Sequence, residues 1–239
     1  MDAIETAAGV RVLSVVIPAY NEERFIGTLL EQIAAVDLAP LGFAKEVIVI
    51  DDCSRDRTAA IASAAVGVRV IRMERNGGKG RAVRAGIAAA SGELLIIQDA
   101  DLEYDPRDYE PMLRALLDGR GDAVYGSRYL GRGRHDNQSF AAYVGGRSLS
   151  LIGWMFTGRF LTDTVTAYKL CRRDDIAAVN LETSGFELDH EITAKLLARG
   201  LRIEEVPIRY TPRSRAEGKK IGAKDWFIAV RTFLKYRRG

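Results

Sequence analysis

A short apolar run followed at once by helical periodicity recurs four times before residue 110, and this recurrence limits the possible folds more than any single residue does. Residues 12–19 (VLSVVIPA) are apolar and β-branched, as in a buried strand, and from Glu22 the positions Phe25, Leu29, Leu30 and Ile33 follow helical spacing. Residues 46–50 (EVIVI) precede a helix from Ser54, residues 68–71 precede a helix over about 79–90, and residues 93–97 (ELLII) lead to Asp99 and a helix opened by Pro106. Strands and helices alternating through such short connections predict an α/β fold with a parallel sheet covered by helices on both faces. In sheets of this kind ligands bind beyond the carboxyl ends of the strands. Polar residues stand there: Tyr20, Asn21 and Glu22, then Asp51 and Asp52, then 76–81 (NGGKGR), then 99–103 (DADLE). The second half is less regular, with a strand at 123–126, an apolar helical stretch from Ser148, a helix over about 189–199 and a strand-like 203–210 (IEEVPIRY).

With 47% hydrophobic and 28% charged residues in 239, the chain can bury a core, which excludes disorder as its main state. The net charge of +3 hides an asymmetry. From Arg209 onward ten Lys/Arg face two acids, a local +8 that leaves −5 for the rest and predicts an anionic partner for the tail. Cys53 and Cys171 have no metal-ligand spacing and form no disulfide framework, which fits a reducing compartment. The N-terminus lacks a signal-peptide core, and the uncharged stretch 148–158 is too short to span a bilayer, so the chain is expected not to cross a membrane by itself.

The pair Asp99 and Asp101, leaving a strand end with Glu103 close behind, can present oxygens to a hard divalent cation, Mg²⁺ or Mn²⁺, that also holds phosphate. Residues 76–84 (NGGKGRAVR) put flexible glycines, backbone amides and Lys79 at a helix start, where anions are favoured. Neither G-x-x-x-x-G-K-[ST] nor G-x-G-x-x-G is present, which argues against an ATPase and a dinucleotide-dependent oxidoreductase. Nucleic-acid binding is disfavoured because only the tail is basic and no base-reading motif occurs. His135 and His190 have no partner spacing suggesting ligation or catalysis.

Residues 15–23 (VVIPAYNEE), 47–58 (VIVIDDCSRDRT), 76–86 (NGGKGRAVRAG) and 96–106 (IIQDADLEYDP) resemble, in order, the signatures of family 2 glycosyltransferases with the GT-A fold. Within that family the likeness is to the polyprenyl-phosphate hexose synthases, the dolichyl-phosphate mannose and glucose synthase group. It extends through YGSRYL (125–130), LTDTVTAYKL (161–170), GFELDHEITAK (185–195), EVPIRY (205–210) and RSRAEGKKIG (213–222). The Q-x-x-R-W motif of processive polysaccharide synthases is absent.

The resemblance implies one GT-A (Rossmann-like) domain over 1–239, a mostly parallel sheet with a C-terminal acceptor-side extension. About 12–126 form the nucleotide-sugar half, about 127–225 the acceptor half and about 225–239 an amphipathic basic helix. Pro18, Tyr20, Glu22, Ile50 and Asp52 match residues that hold the base and ribose of the donor, and Lys79 is counted among the donor-binding residues. Asp99 and Ala100 match the nucleotide-facing part of the D-x-D segment, and Asp101 and Glu103 its metal-binding part, where the group often has Gln at the position of Glu103. Arg128 matches an arginine near the diphosphate, Arg213 and Lys219 a pair that clamps the donor phosphates, and Arg147 the arginine that receives the acceptor phosphate. The connection 131–146 is longer than is usual in the group.

The implied activity is metal-dependent, inverting transfer of a hexose from a GDP-mannose or UDP-glucose type donor to a polyprenyl phosphate at the cytoplasmic membrane face. The protein would be peripheral there, with a membrane-anchoring partner possible. A lipid monophosphate, with a second pKa of about 6, is already a nucleophile at neutral pH. A hydroxyl acceptor on a soluble glycan or small molecule would instead need a carboxylate base, for which Asp163, Asp189 and Glu191 are the candidates. A non-catalytic nucleotide-sugar-binding protein is the remaining alternative. Trp226, Ile228, Val230, Phe233 and Leu234 with Arg231, Lys235, Arg237 and Arg238 compose a helix suited either to an anionic interface or to packing with its charges outward. Tyr143, Trp154, Phe156 and Phe160 suit a core or, with Leu149, Leu151 and Ile152, a membrane-facing groove.

Overall fold

The computed structural model describes residues 10–131, 135, 140–212 and 223–237. Its elements are β1 (Arg11–Ala19), α1 (Ile26–Ala35), β2 (Phe43–Asp51), α2 (Thr58–Ala64), β3 (Val68–Arg72), α3 (Lys79–Ala89), β4 (Leu94–Ile97), α4 (Tyr109–Leu117) and β5 (Ala123–Ser127). They continue with α5 (Phe140–Thr157), β6 (Lys169–Arg172), α6 (Arg173–Ala177), α7 (Leu188–Ala198), β7 (Ile203–Pro207) and α8 (Ala223–Tyr236).

Alternation along β1 sends Leu13, Val15 and Ile17 to one face and Val16 to the other, and all four are buried because helices cover both faces. On the first face lie α1, through Ile26, Leu29, Leu30 and Ile33, and α4, through Tyr109, Met112 and Leu113. On the second lie α3, through Val83 and Ile87, and α7, through Leu188, Ile192 and Leu196.

The seven strands run in the order β3-β2-β1-β4-β6-β5-β7, and the pairs β3-β2, β2-β1, β1-β4 and β5-β7 are parallel. Strand β6 is antiparallel to both β4 and β5, so the sheet is mixed, not wholly parallel. Four residues opening on a lysine gave no periodic signal in the sequence. The order reverses between β1 and β4, the place where an open α/β sheet leaves a crevice. Because β6 runs backward, its first residue, Lys169, shares an edge with the carboxyl ends of the others.

Two helices start later than their periodicity suggests. Asn21 and Cys53 have left-handed φ values of 55° and 63°, and the Asn21 amide donates to Ser54 Oγ at 3.0 Å. Residues 52–57 are thereby committed to pairing with the loop after β1, and α2 begins only at Thr58. The apolar stretch expected from Ser148 is the second half of the 18-residue α5.

Candidate functional site

Residues following β1, β2 and β4 converge at the switch point. Pro18 pairs in register with Ile50, and the Asp52 amide donates to the Ala19 carbonyl at 2.8 Å, which seats the predicted base-binding residues side by side. Tyr20 and Glu22 follow on the adjoining loop, where the Glu22 amide donates to Thr58 Oγ1 at 2.8 Å. The Asp52 carboxylate is buried and accepts the amides of Gly77 and Gly78 at 2.8 and 2.7 Å. The Gly80 amide donates to the Ser184 carbonyl at 2.8 Å, and a Cβ on Gly80 would stand 2.3 Å from the Thr183 carbonyl oxygen. These loop amides, expected to face a phosphate, are therefore bound to the protein's own oxygens, and the loop's glycines let the 183–184 backbone approach.

Lys79 points inward, 2.9 Å from Asp99 and 3.1 Å from Asp189, and Asp189 in turn lies 3.3 Å from Lys169. Burial works against the Lys79 charge, but Asp189 and Asp99 hold its ammonium above the ordinary lysine value. Lys79 is thus a tether between the D-x-D segment and α7. Ala100 is buried. Gln98, to which sequence reasoning gave no role, accepts from the hydroxyls of Tyr109 at 2.6 Å and Tyr168 at 2.5 Å, and donates to the Asp99 carbonyl at 2.9 Å. A buried amide with three partners fixes where β4 releases its acids.

Asp101 Oδ1 accepts the Glu103 amide at 3.1 Å, and Glu103 Oε2 accepts the Tyr210 hydroxyl at 2.8 Å. Both carboxylates are oriented, and their oxygen-only chemistry suits Mg²⁺ or Mn²⁺. No group of three or more His, Cys, Asp or Glu side chains among the described residues is arranged around a metal position. An ion held by Asp101 and Glu103 would take its remaining ligands from phosphate and water, as Mg²⁺ commonly does.

The other end of the edge is built from side-chain pairs. Arg128, just past β5, donates through Nε and Nη2 to Asp163 at 2.6 and 2.7 Å, and its amide donates to the same carboxylate at 3.1 Å. Asp163 is fully buried; burial alone would raise its pKa, yet Arg128 holds it below the usual carboxylate range. The Arg128 guanidinium lies 5.1 Å from the Tyr210 ring centre. Arg147, on α5, donates to the Thr162 carbonyl at 2.8 Å and lies 5.9 Å from the ring centres of Tyr129 and Phe160. His135 Nε2 donates to the Arg128 carbonyl at 2.7 Å, with its ring edge-on to Tyr210 at 5.2 Å. That placement had no sequence signal.

The three candidate bases are all engaged. Asp163 belongs to Arg128. Asp189 is buried between two lysines, and although burial opposes it, Lys169 and Lys79 lower its pKa. Glu191 is buried too, where it accepts the amides of Glu182 and Thr183 at 2.8 and 2.9 Å and pairs with Lys195 at 2.7 Å. His190 is also inside, with its Nδ1 unpartnered and its ring 5.1 Å from Phe233.

Helix α8 packs on α5 and α7 with Phe233 and Tyr236 buried, so Phe233 is core and not interface. Ile152 and Phe156 of α5 join that cluster and Leu149 is buried, whereas Leu151, Trp154 and Phe160 are 49%, 47% and 47% exposed. With Phe140, Val144 and Met155, also exposed, Leu151 and Trp154 form a stripe along α5 at helical spacing, flanking Arg147. Arg213, Lys219 and Arg238, with most of residues 132–139, lie outside the described residues. No helix among the described residues is long and apolar enough to cross a membrane.

Residues 14–177 match the family description Glycosyl transferase family 2. The chain is 31% identical over 215 residues to the dolichol-phosphate mannosyltransferase of Pyrococcus furiosus, covering 88% of this chain but 59% of that protein. It is 32% identical over 219 residues to a dolichyl-phosphate beta-glucosyltransferase of Drosophila melanogaster, covering 83% and 67%. In three dimensions it is similar to glucosyl-3-phosphoglycerate synthase from Mycobacterium tuberculosis in complex with UDP, with a TM-score of 0.71 at 24% identity over 95% of this chain and 80% of that one. The same synthase in complex with Mn²⁺, UDP and glucosyl-3-phosphoglycerate gives 0.70 at 25% identity, covering 96% and 80%. The shared architecture is the GT-A fold.

Proposed function

This chain belongs to glycosyl transferase family 2, and from that premise we propose that it transfers a hexose, with inversion, from a nucleoside-diphosphate sugar to the phosphate of a polyprenyl phosphate. One observation carries the choice of acceptor. Asp163, Asp189 and Glu191 are each bound to cations or amides, so none is poised to take a proton from a hydroxyl. A phosphate dianion needs no such base.

On this reading Pro18, Tyr20, Glu22 and Ile50 hold the base and ribose, and Asp52 contributes by fixing the Gly77–Gly78 turn beside them. Asp99 and Ala100 line the nucleotide side. Asp101 and Glu103 hold Mg²⁺ or Mn²⁺, which when bound supplies positive charge against the departing diphosphate. Arg128, with Asp163 on its Nε–Nη2 edge, offers its Nη1 corner to the donor phosphates, and Arg213 and Lys219 extend that positive field. Arg147 receives the acceptor phosphate, because a guanidinium grips two oxygens at once. The apolar stripe around Arg147 suits a lipid surface and supports a peripheral position on a membrane; on this reading the membrane face is the cytoplasmic one and the 1–239 chain acts as one catalytic unit.

The test is incubation with GDP-mannose or UDP-glucose, Mn²⁺ or Mg²⁺, and undecaprenyl phosphate, with 3-phosphoglycerate as the competing acceptor. Label extracted with the lipid is the expected result. Transfer only to 3-phosphoglycerate or another hydroxyl compound overturns the proposal.

A further inference from the structure

Strand β7 carries two adjacent glutamates that alternation sends to opposite sides. Glu204 pairs with Arg120 at the surface. Glu205 is partly buried, and no cation among the described residues pairs with it. Its Oε2 accepts the Thr162 amide at 2.6 Å, and its Oε1 accepts both the Thr162 hydroxyl and the Asp163 amide at 2.9 Å. Since the Thr162 proton goes to the carboxylate, Ser127 Oγ at the end of β5 is the donor in its 2.6 Å contact with Thr162 Oγ1. Burial pushes the Glu205 carboxyl above its ordinary pKa. A partly desolvated carboxylate without a cation is a costly way to brace a turn, and Gln, with one acceptor oxygen, cannot serve donors converging on both oxygens.

The braced turn is where two arginines are fastened, Arg128 assigned to the donor phosphates and Arg147 to the acceptor phosphate. Thr162 gives its carbonyl to Arg147, and Asp163 gives its carboxylate to Arg128. Consecutive residues thus set the spacing of two guanidinium groups that arrive from β5 and from α5. We propose that Glu205 is a positioning residue which, by fixing the Thr162–Asp163 turn, holds Arg128 and Arg147 at the separation needed to bring an acceptor phosphate to the donor. This role rests on the assignment of Arg147 to the acceptor phosphate.

Binding on the full chain separates the two claims. Farnesyl phosphate, a water-soluble prenyl monophosphate, is the acceptor probe, and UDP and GDP with Mn²⁺ are the nucleotide probes, all by titration calorimetry. Glu205→Gln is expected to weaken farnesyl phosphate about tenfold, and UDP and GDP by the smaller factor of about threefold or less, because Arg128 keeps its direct pair with Asp163. Arg147→Ala also weakens farnesyl phosphate, and the double variant loses little more than the worse single one. Unchanged farnesyl phosphate affinity in Glu205→Gln, or fully additive losses in the double variant, overturns the Glu205 role while the acceptor assignment stands. A wild-type chain that binds nucleotide but no farnesyl phosphate removes the acceptor assignment and this role with it. Should Glu205→Gln fail to fold, Thr162→Val replaces it, with an expected loss of about threefold to tenfold from the two hydrogen bonds of its hydroxyl, and equal affinity overturns the role.

Discussion

The two ends of the edge that carries the proposed site are held together by different means. At the β1–β2–β4 end, the Asp52 carboxylate is fixed by the Gly77 and Gly78 amides, and Gln98 donates to the Asp99 carbonyl. At the β5–β7 end, side chains 35 to 43 residues apart grip one another: Arg128 with Asp163, Ser127 with Thr162, and Glu205 with the Thr162–Asp163 turn. A backbone group arrives wherever the fold takes its strand, so in these contacts of the first end only the side-chain partner has to be kept, the Lys79–Asp99 pair being the exception. The second exists only while each partner of each pair is present.

The sharpest break of this contrast is Asp163→Ala, which strands the buried Arg128 charge. Denaturant unfolding is expected to show a loss of about 3–5 kcal/mol, with turnover abolished. A loss below about 1 kcal/mol would mean that the pair behaves as a surface ion pair. Next in size is the acid response of His190, buried on α7 against Phe233. Burial, with Asp189 opposing, lowers its pKa to about 4 from 6.5, so the native protein resists a proton that the unfolded chain accepts. Its contribution is full above pH 6.5 and is lost as pH falls toward 4, by up to about 3 kcal/mol. The melting temperature of His190→Leu should therefore fall less over that interval than the wild type's, and parallel curves would refute this. Asp52→Asn keeps one acceptor for two amides and should cost about 1–2 kcal/mol, read as weaker nucleotide binding with farnesyl phosphate affinity unchanged. Equal losses for both probes would dissolve the distinction between the ends. The smallest effect is expected for Phe227→Ser, at an exposed position of α8, within about 0.5 kcal/mol of wild-type stability, while binding to anionic vesicles weakens.

The same difference explains what could be read from the chain. Runs such as VLSVVIPA and ELLII announce buried strands, and topology then puts Asp52, Asp99 and Asp101 at one edge without knowledge of any side-chain partner. Side-chain pairing has no such local mark. That Asp163 answers Arg128 and that Glu205 answers Thr162 depends on β6 and β7 entering the sheet beside β5, and β6 is too short to register as a period. Glu191 and Asp189 sit on a helix whose charged spelling, LDHEITAK, suggests a solvated face, yet lysines from three elements, Lys79, Lys169 and Lys195, allow both to be buried. The D-x-D segment reads from the sequence as a candidate site, but the role of Lys79 as a bridge from it to α7 has no local mark, because Asp189 lies 110 residues away.

Strand β5 is made before either of its neighbours: it ends at Ser127, β6 begins at Lys169 and β7 at Ile203. During synthesis its hydrogen-bonding groups stay unpaired while more than forty further residues emerge, an open template of the kind that invites wrong strand pairing. The β3-β2-β1-β4 sheet can form first, from strands already in hand, whereas the arginine-bearing edge must wait for the reversed strand. Slow synthesis through residues 128–168, or a chain cut short there, would leave the half proposed to hold the nucleotide without the edge proposed to receive the acceptor.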